Sequence, residues 1–358
     1  MIILEMKKND PVSDFTNQIV ISSRVRFARN LKERPLPGVA KKAVLIALME
    51  EVKAAVMALP EMAVASSEKL EDLTLLEKQI LVERHLMSCE HAVKAAGSAL
   101  VLNQEETLSV MINEEDHLRM QAILPGLQLQ RVFEMMHAVD EQLEEKLDFA
   151  FHPTLGYLTA CPTNVGTGMR ASVMLHLPGL VISEQINKII NSVNKMGLAV
   201  RGLHGEGSDA KGNLFQISNQ TTLGEKEETI LQHLSEVIEQ ILRHEQNART
   251  VFLQQQSEIL LDQVGRSYGI LSHAYSITTK EALNLLSLLK LGVDLNLFPE
   301  HVRLPIDQLF METQPAHLQQ GAQQLKMSAK DRDALRATLI RAKLAEMPVP
   351  KLQAALEG

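Results

Sequence analysis

The chain has 358 residues, which is enough for two or three domains. Its 44 acidic residues outnumber 36 Lys and Arg, and the formal net charge of −8 argues against a general nucleic-acid binder, which needs a basic surface. With no Trp and only 3 Tyr, an aromatic platform for stacking unpaired bases is also unexpected.

The first half of the chain mixes the apolar periods of strands and helices. The predicted strands are Ile19–Ser22, Ala99–Leu102, Leu108–Ile112, Tyr157–Thr159 and Ser172–His176. The predicted helices are Ala43–Met57, Glu71–Leu86, Leu127–Leu147 and Ser183–Met196. Ser183 is the expected N-cap of the last helix, and Gly197 follows its end.

In the second half, strands are predicted only as far as Ser218. Two more strands, Ala199–Arg201 and Leu214–Ser218, flank a loop that contains several glycines, and a long helix is predicted over Glu227–Ala248. After about Leu260 only helices are predicted, over Lys280–Lys290, Val302–Phe310, Ala316–Lys326 and Lys330–Leu344. We therefore expect an α+β domain over residues 1–255 and an all-helical domain over residues 256–358.

The compartment is predicted from cysteine usage and from apolar runs. Cys89 and Cys161 are too few for a disulfide scaffold or a Cys-rich zinc site, and they fit a reducing environment. No apolar run reaches the roughly 18 residues of a membrane span, and the apolar start precedes Lys7 and Lys8 rather than following them. The sequence predicts a soluble, cytoplasmic protein.

Five arginines lie at predicted strand ends or beside turns: Arg24, Arg26, Arg119, Arg170 and Arg201. Taken singly, each can be a solvated or weakly paired surface residue. Taken together, planar guanidinium groups match phosphate oxygens in pairs of hydrogen bonds. The sequence has no GxxxxGK[ST] phosphate loop and no protein-kinase motif set, so converging arginines would take over that role.

Two carboxylates are candidates for proton transfer. Glu115 lies just past a predicted strand, and Glu206 lies between two glycines in the loop 204–213. The structural alternatives are a helix-capping acid for Glu115 and a solvated loop acid for Glu206. As a pair they would orient a substrate and remove its proton.

Three motifs resemble the active-site signatures of the phosphagen (guanidino) kinase family, and they occur in the family's order. They are Ser22–Arg26 (SSRVR), Asn113–Arg119 (NEEDHLR) and Cys161–Thr167 (CPTNVGT), supported by Arg201 and Gly205–Glu206. The resemblance covers roughly residues 15–250. It implies a catalytic domain with a central antiparallel sheet flanked by helices.

The resemblance also implies roles for single residues. The five arginines would bind the phosphates of ATP, His85 would contact adenine, and Mg²⁺ would be held mainly by the nucleotide, with no metal site made by the protein. Glu115 and Glu206 would hold a guanidinium and accept its proton. Cys161 would lie beside the substrate, although a small packing role is the alternative for this cysteine.

Two departures from creatine and arginine kinases resemble the family's protein-arginine kinase branch. Only 21 residues precede Ser22, where those enzymes carry a helical domain that closes over a small substrate, and the helical region after residue 255 is additional. Arg332–Ala337 (RDALRA) resembles that branch's phosphoarginine-binding motif. Arg332 and Arg336 are i and i+4 on a predicted helix, and Asp333 can accept hydrogen bonds from a guanidinium.

The resemblance therefore implies an ATP-dependent kinase of arginine side chains in proteins, with allosteric phosphoarginine binding and dimerisation in the helical domain. It further implies inactivation of a stress-response repressor, delivery of marked proteins to a Clp protease, and an activator protein. Three alternatives stay open. These are a kinase of free arginine or another small guanidino compound, a phosphoarginine-reading adaptor, and a non-catalytic α+β domain with an oligomerising tail.

Overall fold

The computed structural model describes residues 14–202 and 210–351, which form ten strands and thirteen α-helices. The strands are β1 Val20–Arg29, β2 Ser66–Lys69, β3 Ala99–Leu102, β4 Leu108–Ile112, β5 Leu118–Pro125, β6 Phe151–His152, β7 Gly156–Tyr157, β8 Met169–His176, β9 Leu198–Gly202 and β10 Leu214–Asn219. The helices are α1 Asp14–Ile19, α2 Lys42–Met57, α3 Leu75–Glu83, α4 Cys89–Ala92, α5 Leu129–Glu144, α6 Pro178–Ile182, α7 Ile186–Lys195, α8 Glu227–Gln255, α9 Ser257–His273, α10 Thr279–Asp294, α11 Arg303–Glu312, α12 Pro315–Gly321 and α13 Ala329–Leu344.

Eight strands form one antiparallel sheet in the order β2-β3-β4-β5-β1-β8-β10-β9. Alternation along β1 sends Val25 and Phe27 to one face, where they join the main core with residues of α2, α5 and α8. The opposite face is covered over β3 and β4 by a small apolar cluster that includes Leu86 and Met87. The antiparallel sheet flanked by helices confirms the predicted α+β class.

Several elements were not predicted, among them β5 and α9. One predicted cap is wrong: Ser183 is not the N-cap of α7, because it follows the short helix α6 and Gln185 precedes α7. Pro178 starts that extra turn of helix, as proline does well at a first helical position. Gly197 does follow the end of α7, with a left-handed φ of +77°.

Helices α9 to α13 pack around a second apolar core that includes Val264, Leu286 and Ile306. A buried charge network connects this core to the sheet. Arg249 of α8 donates to Glu245 (2.7 Å) and to Asp294 of α10 (3.0 Å), while Glu245 accepts two backbone N–H groups at the start of α6. Each buried charge therefore has an opposite partner, which burial requires.

A second connection joins α3 to the start of α12. The Glu83 carboxylate accepts the backbone N–H groups of Ala316 (2.8 Å) and His317 (3.2 Å), and it contacts His317 Nδ1 at 2.7 Å. The carboxylate satisfies N–H groups that have no partner inside the helix, and it sits at the positive end of the helix dipole. Glu83 is two residues before His85, the residue predicted to contact adenine.

We expect Glu83→Ala to lower the free energy of unfolding by about 1–3 kcal/mol, because buried N–H groups lose their acceptor. Urea unfolding measures the change. Glu71→Ala, at an exposed position just before α3, is the matched control and should stay within about 0.5 kcal/mol of wild type. Equal stabilities for the two variants would contradict the contact's importance.

Candidate active site

The strand register places the predicted arginines on one face of the sheet. Arg26 of β1 lies directly opposite Arg170 of β8, and Ala28, two residues along β1, lies opposite Arg119 of β5. Directly opposed residues share a face, as do residues two apart on one strand. Arg24 is therefore on this face with the other three.

Arg201 joins them from the edge of the sheet. It lies on β9 opposite Gln216 of β10, and the Gln216 side-chain oxygen accepts a hydrogen bond from Arg24 Nη2 at 2.9 Å. Five arginines from four strands thus converge on one face. We call this set, Arg24, Arg26, Arg119, Arg170 and Arg201, the arginine face.

The electrostatics of the arginine face favour an anion. Burial, together with the charges of Arg119 and Arg170, lowers the pKa of Arg24 to about 10. Burial and neighbouring positive charges also lower the pKa of Arg26, whose Nε is buried without a partner among the described residues, and that of Arg170. Like charges held together and desolvated are costly unless a ligand of opposite charge offsets them.

One arginine of the face carries its own counter-ion. Arg119 Nη1 contacts both oxygens of Glu114 at 2.6 and 2.7 Å, and Glu114 is 1% exposed. Burial opposes the charge on Arg119, but the attraction of Glu114 outweighs it and raises the Arg119 pKa. Glu114 also accepts a hydrogen bond from Ser88 Oγ. Sequence reasoning missed Glu114, although its position before a tight turn that leads back to Arg119 was a usable signal.

The turn between β4 and β5 presents Glu115. Asn113 takes a left-handed φ of +58°, which asparagine tolerates, and its side chain donates to the carbonyls of Leu45 and Gly97. The buried Asp116 accepts from the Asn30 side chain and the Ala160 backbone, each at 2.6 Å.

Glu115 is exposed, whereas its two neighbours in the chain, Glu114 and Asp116, are buried. Partial desolvation of its carboxyl, together with the charges of Asp116 and Glu114, raises its pKa, which moves this carboxylate toward the range of a general base. Asp116 and Asn30 were also missed by sequence reasoning. Their contact joins residues 86 apart in the chain, so no local pattern shows it.

A cleft of about 450 Å³ opens over the arginine face. Its lining includes six predicted site residues: Arg26, Glu115, Arg119, Cys161, Arg170 and Arg201. Cys161 is partly exposed, and its Sγ lies 3.0 Å from Thr163 Oγ1 in the turn Pro162–Asn164. The cleft therefore brings together cations, a carboxylate and a thiol drawn from distant parts of the chain.

The two cysteines provide a test of this cleft. We expect iodoacetamide to alkylate Cys161 and to block the kinase activity that the resemblance implies, because the added group would occupy the cleft, and we expect the implied nucleotide, ATP, to slow that reaction. Cys89→Ser should be inactivated like wild type, and Cys161→Ser should resist. Peptide mapping identifies the modified thiol. Inactivation that persists in Cys161→Ser would contradict the placement.

His85 lies beside the arginine face but does not line the cleft. It has a left-handed φ of +59°, and its carbonyl accepts a hydrogen bond from the Gln121 side chain at 2.7 Å. Gln121 is directly opposite Arg26 in the sheet. The contact of His85 with adenine stays a prediction.

The second predicted carboxylate, Glu206, lies outside the described residues, as do His204 and Gly205. Among the described residues, no three His, Cys, Asp or Glu side chains group to hold a metal ion. No helix of residues 14–202 or 210–351 is long and apolar enough to cross a membrane.

The RDALRA motif lies on α13, and the structure places its two arginines differently. Arg336 is 1% exposed and donates to the carbonyls of Thr313 and Ile277, each at 2.8 Å, and to Asp333 at 2.6 Å. Arg332 is partly exposed and donates to the Met327 carbonyl. Asp333 thus accepts a hydrogen bond from the guanidinium of Arg336 in the same helix. Of the predicted pair, Arg332 is the one nearer to solvent.

Comparisons with known proteins agree with this arrangement. The protein-family model named ATP:guanido phosphotransferase, C-terminal catalytic domain, matches residues 47–248. A second family model, protein-arginine kinase McsB C-terminal domain, matches residues 257–355. Two relatives named protein-arginine kinase come from Halothermothrix orenii and Brevibacillus brevis. They are 46% and 43% identical, over 91% and 95% of this chain and 93% and 94% of their own.

Two solved structures share the fold. The duplicated taurocyamine kinase of Schistosoma mansoni, with bound transition-state-analogue components, is 27% identical with a TM-score of 0.60, over 68% of this chain and 35% of its own. A lombricine kinase is 25% identical with a TM-score of 0.57, over 68% of this chain and 71% of its own. The similarity thus extends to kinases named for taurocyamine and lombricine.

Proposed function

The chain belongs to the protein-arginine kinases of the ATP:guanido phosphotransferase family, and from this premise we propose that it phosphorylates arginine side chains of proteins. ATP is the phosphoryl donor. The observation that carries the proposal is the cleft, where the arginine face meets Glu115 and Cys161. Phosphoryl transfer depends on positioning and on stabilising spread negative charge, which this arrangement suits.

The arginine face would bind the triphosphate and the transferring group. Arg24, Arg26 and Arg170 are the members whose pKa values are lowered by burial and by mutual repulsion, so bound phosphate oxygens would relieve their cost. Because strands of one sheet hold them, these donors need little reorganisation when charge develops on the γ-phosphoryl group.

Glu115 would act on the other reactant. A guanidinium nitrogen attacks the γ-phosphorus, the bond from that phosphorus to the bridging oxygen breaks, and ADP leaves. The attacking nitrogen must give up a proton, and Glu115, exposed at the cleft with a raised pKa, is the proposed acceptor. Glu206 would hold the guanidinium with it, and Cys161 would adjoin the same group.

Mg²⁺ is proposed to accompany the nucleotide. The cation would neutralise charge on the phosphates when bound, and it takes oxygen ligands in an octahedral arrangement that usually includes waters. The positive lining of the cleft suits phosphate oxygens rather than a bare cation, so the triphosphate would supply its ligands. The residues of the arginine face would then bind the remaining phosphate oxygens.

The target is proposed to be an arginine in a polypeptide. A coupled ATP assay tests this with an arginine-containing peptide and with free arginine at equal concentrations. We expect kcat/KM for free arginine to be at least about 100-fold lower, because positioning by the flanking chain is lost. A faster reaction on free arginine would favour a small-guanidino kinase. ATP binding without turnover of either would favour a phosphoarginine-reading adaptor.

The helical region is proposed to bind phosphoarginine near Arg332, Asp333 and Arg336 and to support a homodimer. The buried hydrogen bonds of Arg336 hold α13 to Thr313 and Ile277, so occupation of the motif would act on the packing of these segments. Thr313 is close in sequence to Ala316, whose N–H is held by Glu83. Such coupling requires that phosphoarginine bind two states with different affinity.

The cellular role is proposed from the family resemblance. Phosphorylation would inactivate a transcriptional repressor of the stress response and would mark proteins for a Clp ATPase and protease in the cytoplasm, with an activator protein regulating the kinase. Incubation of the purified kinase, ATP, the repressor and its operator DNA tests the first step. Operator release that depends on ATP and on Glu115 supports it, and unchanged DNA binding contradicts it.

A further inference from the structure

A second cavity, of about 370 Å³, lies next to the catalytic cleft. Its walls are the hairpin of β6 and β7, the segment Gly166–Thr167, and residues 222–228 at the start of α8. We call it the hairpin groove. Thr167 lines this groove and the next residue, Gly168, lines the cleft, so the two linings are about 4 Å apart along the backbone.

The groove exposes large apolar side chains. Phe151 is 56% exposed, Leu223 50% and Leu155 41%. Scattered exposed apolar residues are ordinary, but here they border a single concave surface whose lining is adjacent in the chain to that of the cleft. Such a grouping is typical of a surface that binds another molecule.

The charge of the groove is opposite to that of the cleft. Glu225, Glu227 and Glu228 border it, with Lys226 as the cation among them. Burial raises the pKa of Glu227, and the charges of Asp140 and Glu228 add to this rise while Arg29 opposes it. Phosphates are therefore attracted to one side of the shared segment and cations to the other.

Hydrogen bonds connect the hairpin groove to residues 161–168, which we call the catalytic segment because Cys161 and Gly168 line the cleft. Tyr157 of the hairpin donates its N–H to the Gly166 carbonyl at 2.8 Å. The Thr222 hydroxyl contacts the carbonyls of Thr163 (2.9 Å) and Val165 (2.7 Å). Gly166 has a φ of +116°, and a Cβ there would lie 2.2 Å from the Thr222 carbonyl oxygen, so the close approach requires glycine.

We propose that the hairpin groove binds the polypeptide that flanks the target arginine, with a preference for apolar and basic residues. This inference rests on the proposed function, since it places the target guanidinium in the cleft. An extended chain advances about 3.3 Å per residue, so residues two to four positions from the target reach the groove. Apolar side chains would contact Phe151 and Leu223, and Lys or Arg would pair with Glu225 and Glu228.

The test uses the double variant Glu225→Lys, Glu228→Lys. Its matched control is Glu236→Lys, Glu239→Lys, two exposed positions farther along α8. Two peptides carry one target arginine, flanked either by Leu and Lys or by Gly and Ser. Fluorescence anisotropy measures binding of each labelled peptide, and the coupled assay measures kcat and KM.

For the Leu/Lys peptide we expect Kd and KM to rise about tenfold in the groove variant, with kcat within twofold of wild type, because rim charges contribute to association rather than to chemistry. The Gly/Ser peptide should be unaffected by the groove variant, and both peptides by the control. Equal losses for the two peptides, or none, would overturn the proposal. If no peptide is phosphorylated, the proposed function fails, and anisotropy alone still decides whether the groove binds.

Discussion

Replacing Arg26 by Met is expected to abolish most activity without loss of stability. In other phosphoryl-transfer enzymes, one arginine at the transferring group is worth about 10³–10⁵ in kcat, so we expect kcat/KM to fall by at least about 10³. Arg26 is desolvated beside three like charges, and its Nε is buried without a partner among the described residues. Its removal relieves that cost, so the urea midpoint should stay or rise.

The matched control is Arg266→Met on α9, where the arginine is exposed and paired with Asp262. It should leave both activity and the urea midpoint close to wild type, since exposed pairs contribute little. ATP should raise the melting temperature of wild type and of the control more than that of Arg26→Met. If Arg26→Met is destabilised but ATP raises its melting temperature as much as that of wild type, Arg26 has a structural role.

Glu115→Gln is expected to lower kcat by about 10²–10⁴ with little change in ATP affinity, because it removes a proton acceptor and leaves the arginine face intact. The pH profile gives a second readout. A base works when ionised, and the raised pKa of Glu115 places the rise of wild-type kcat above the usual range of a glutamate. The variant should lack this rise.

Stability separates this role from a structural one. The folded pKa of Glu115 lies above its ordinary value, so its ionisation opposes folding as pH rises, and the Gln variant should not be destabilised at neutral pH. Glu90→Gln removes a nearby exposed charge and is the control, with kcat expected within about twofold of wild type. A comparable loss of kcat in both variants would point to net charge rather than proton transfer.

The sequence was informative where function depends on local order. Arg24 and Arg26 could be assigned to one face from their alternation alone, and β1 confirms it. The strand carrying Arg119 was missed because Leu118–Pro125 follows no single period: apolar and polar residues alternate as far as Ala122, and Ala122–Leu124 is then a continuous apolar run. Helix α9 was missed because Gly265 and Gly269 lower its helix propensity.

The parts of the site that the sequence did not predict depend on contacts between distant segments. Arg26 lies opposite Arg170 because of the register in which β1 pairs with β8, and no local sequence pattern specifies that register. The fixed orientation of the Glu115 turn depends on Asn30, and the hairpin groove depends on Thr222 reaching the catalytic segment. The spacing of Arg332 and Arg336 predicted two similar side chains, but helix packing buries only Arg336.

The most direct test of the account is to identify the product. The kinase is incubated with ATP, Mg²⁺ and a mixed protein substrate, and mass spectrometry is run at neutral pH to preserve the acid-labile N–P bond. We expect phosphate on arginine side chains with wild type and its near absence with Glu115→Gln. Folded wild-type protein that binds ATP but forms no phosphoarginine would contradict the account.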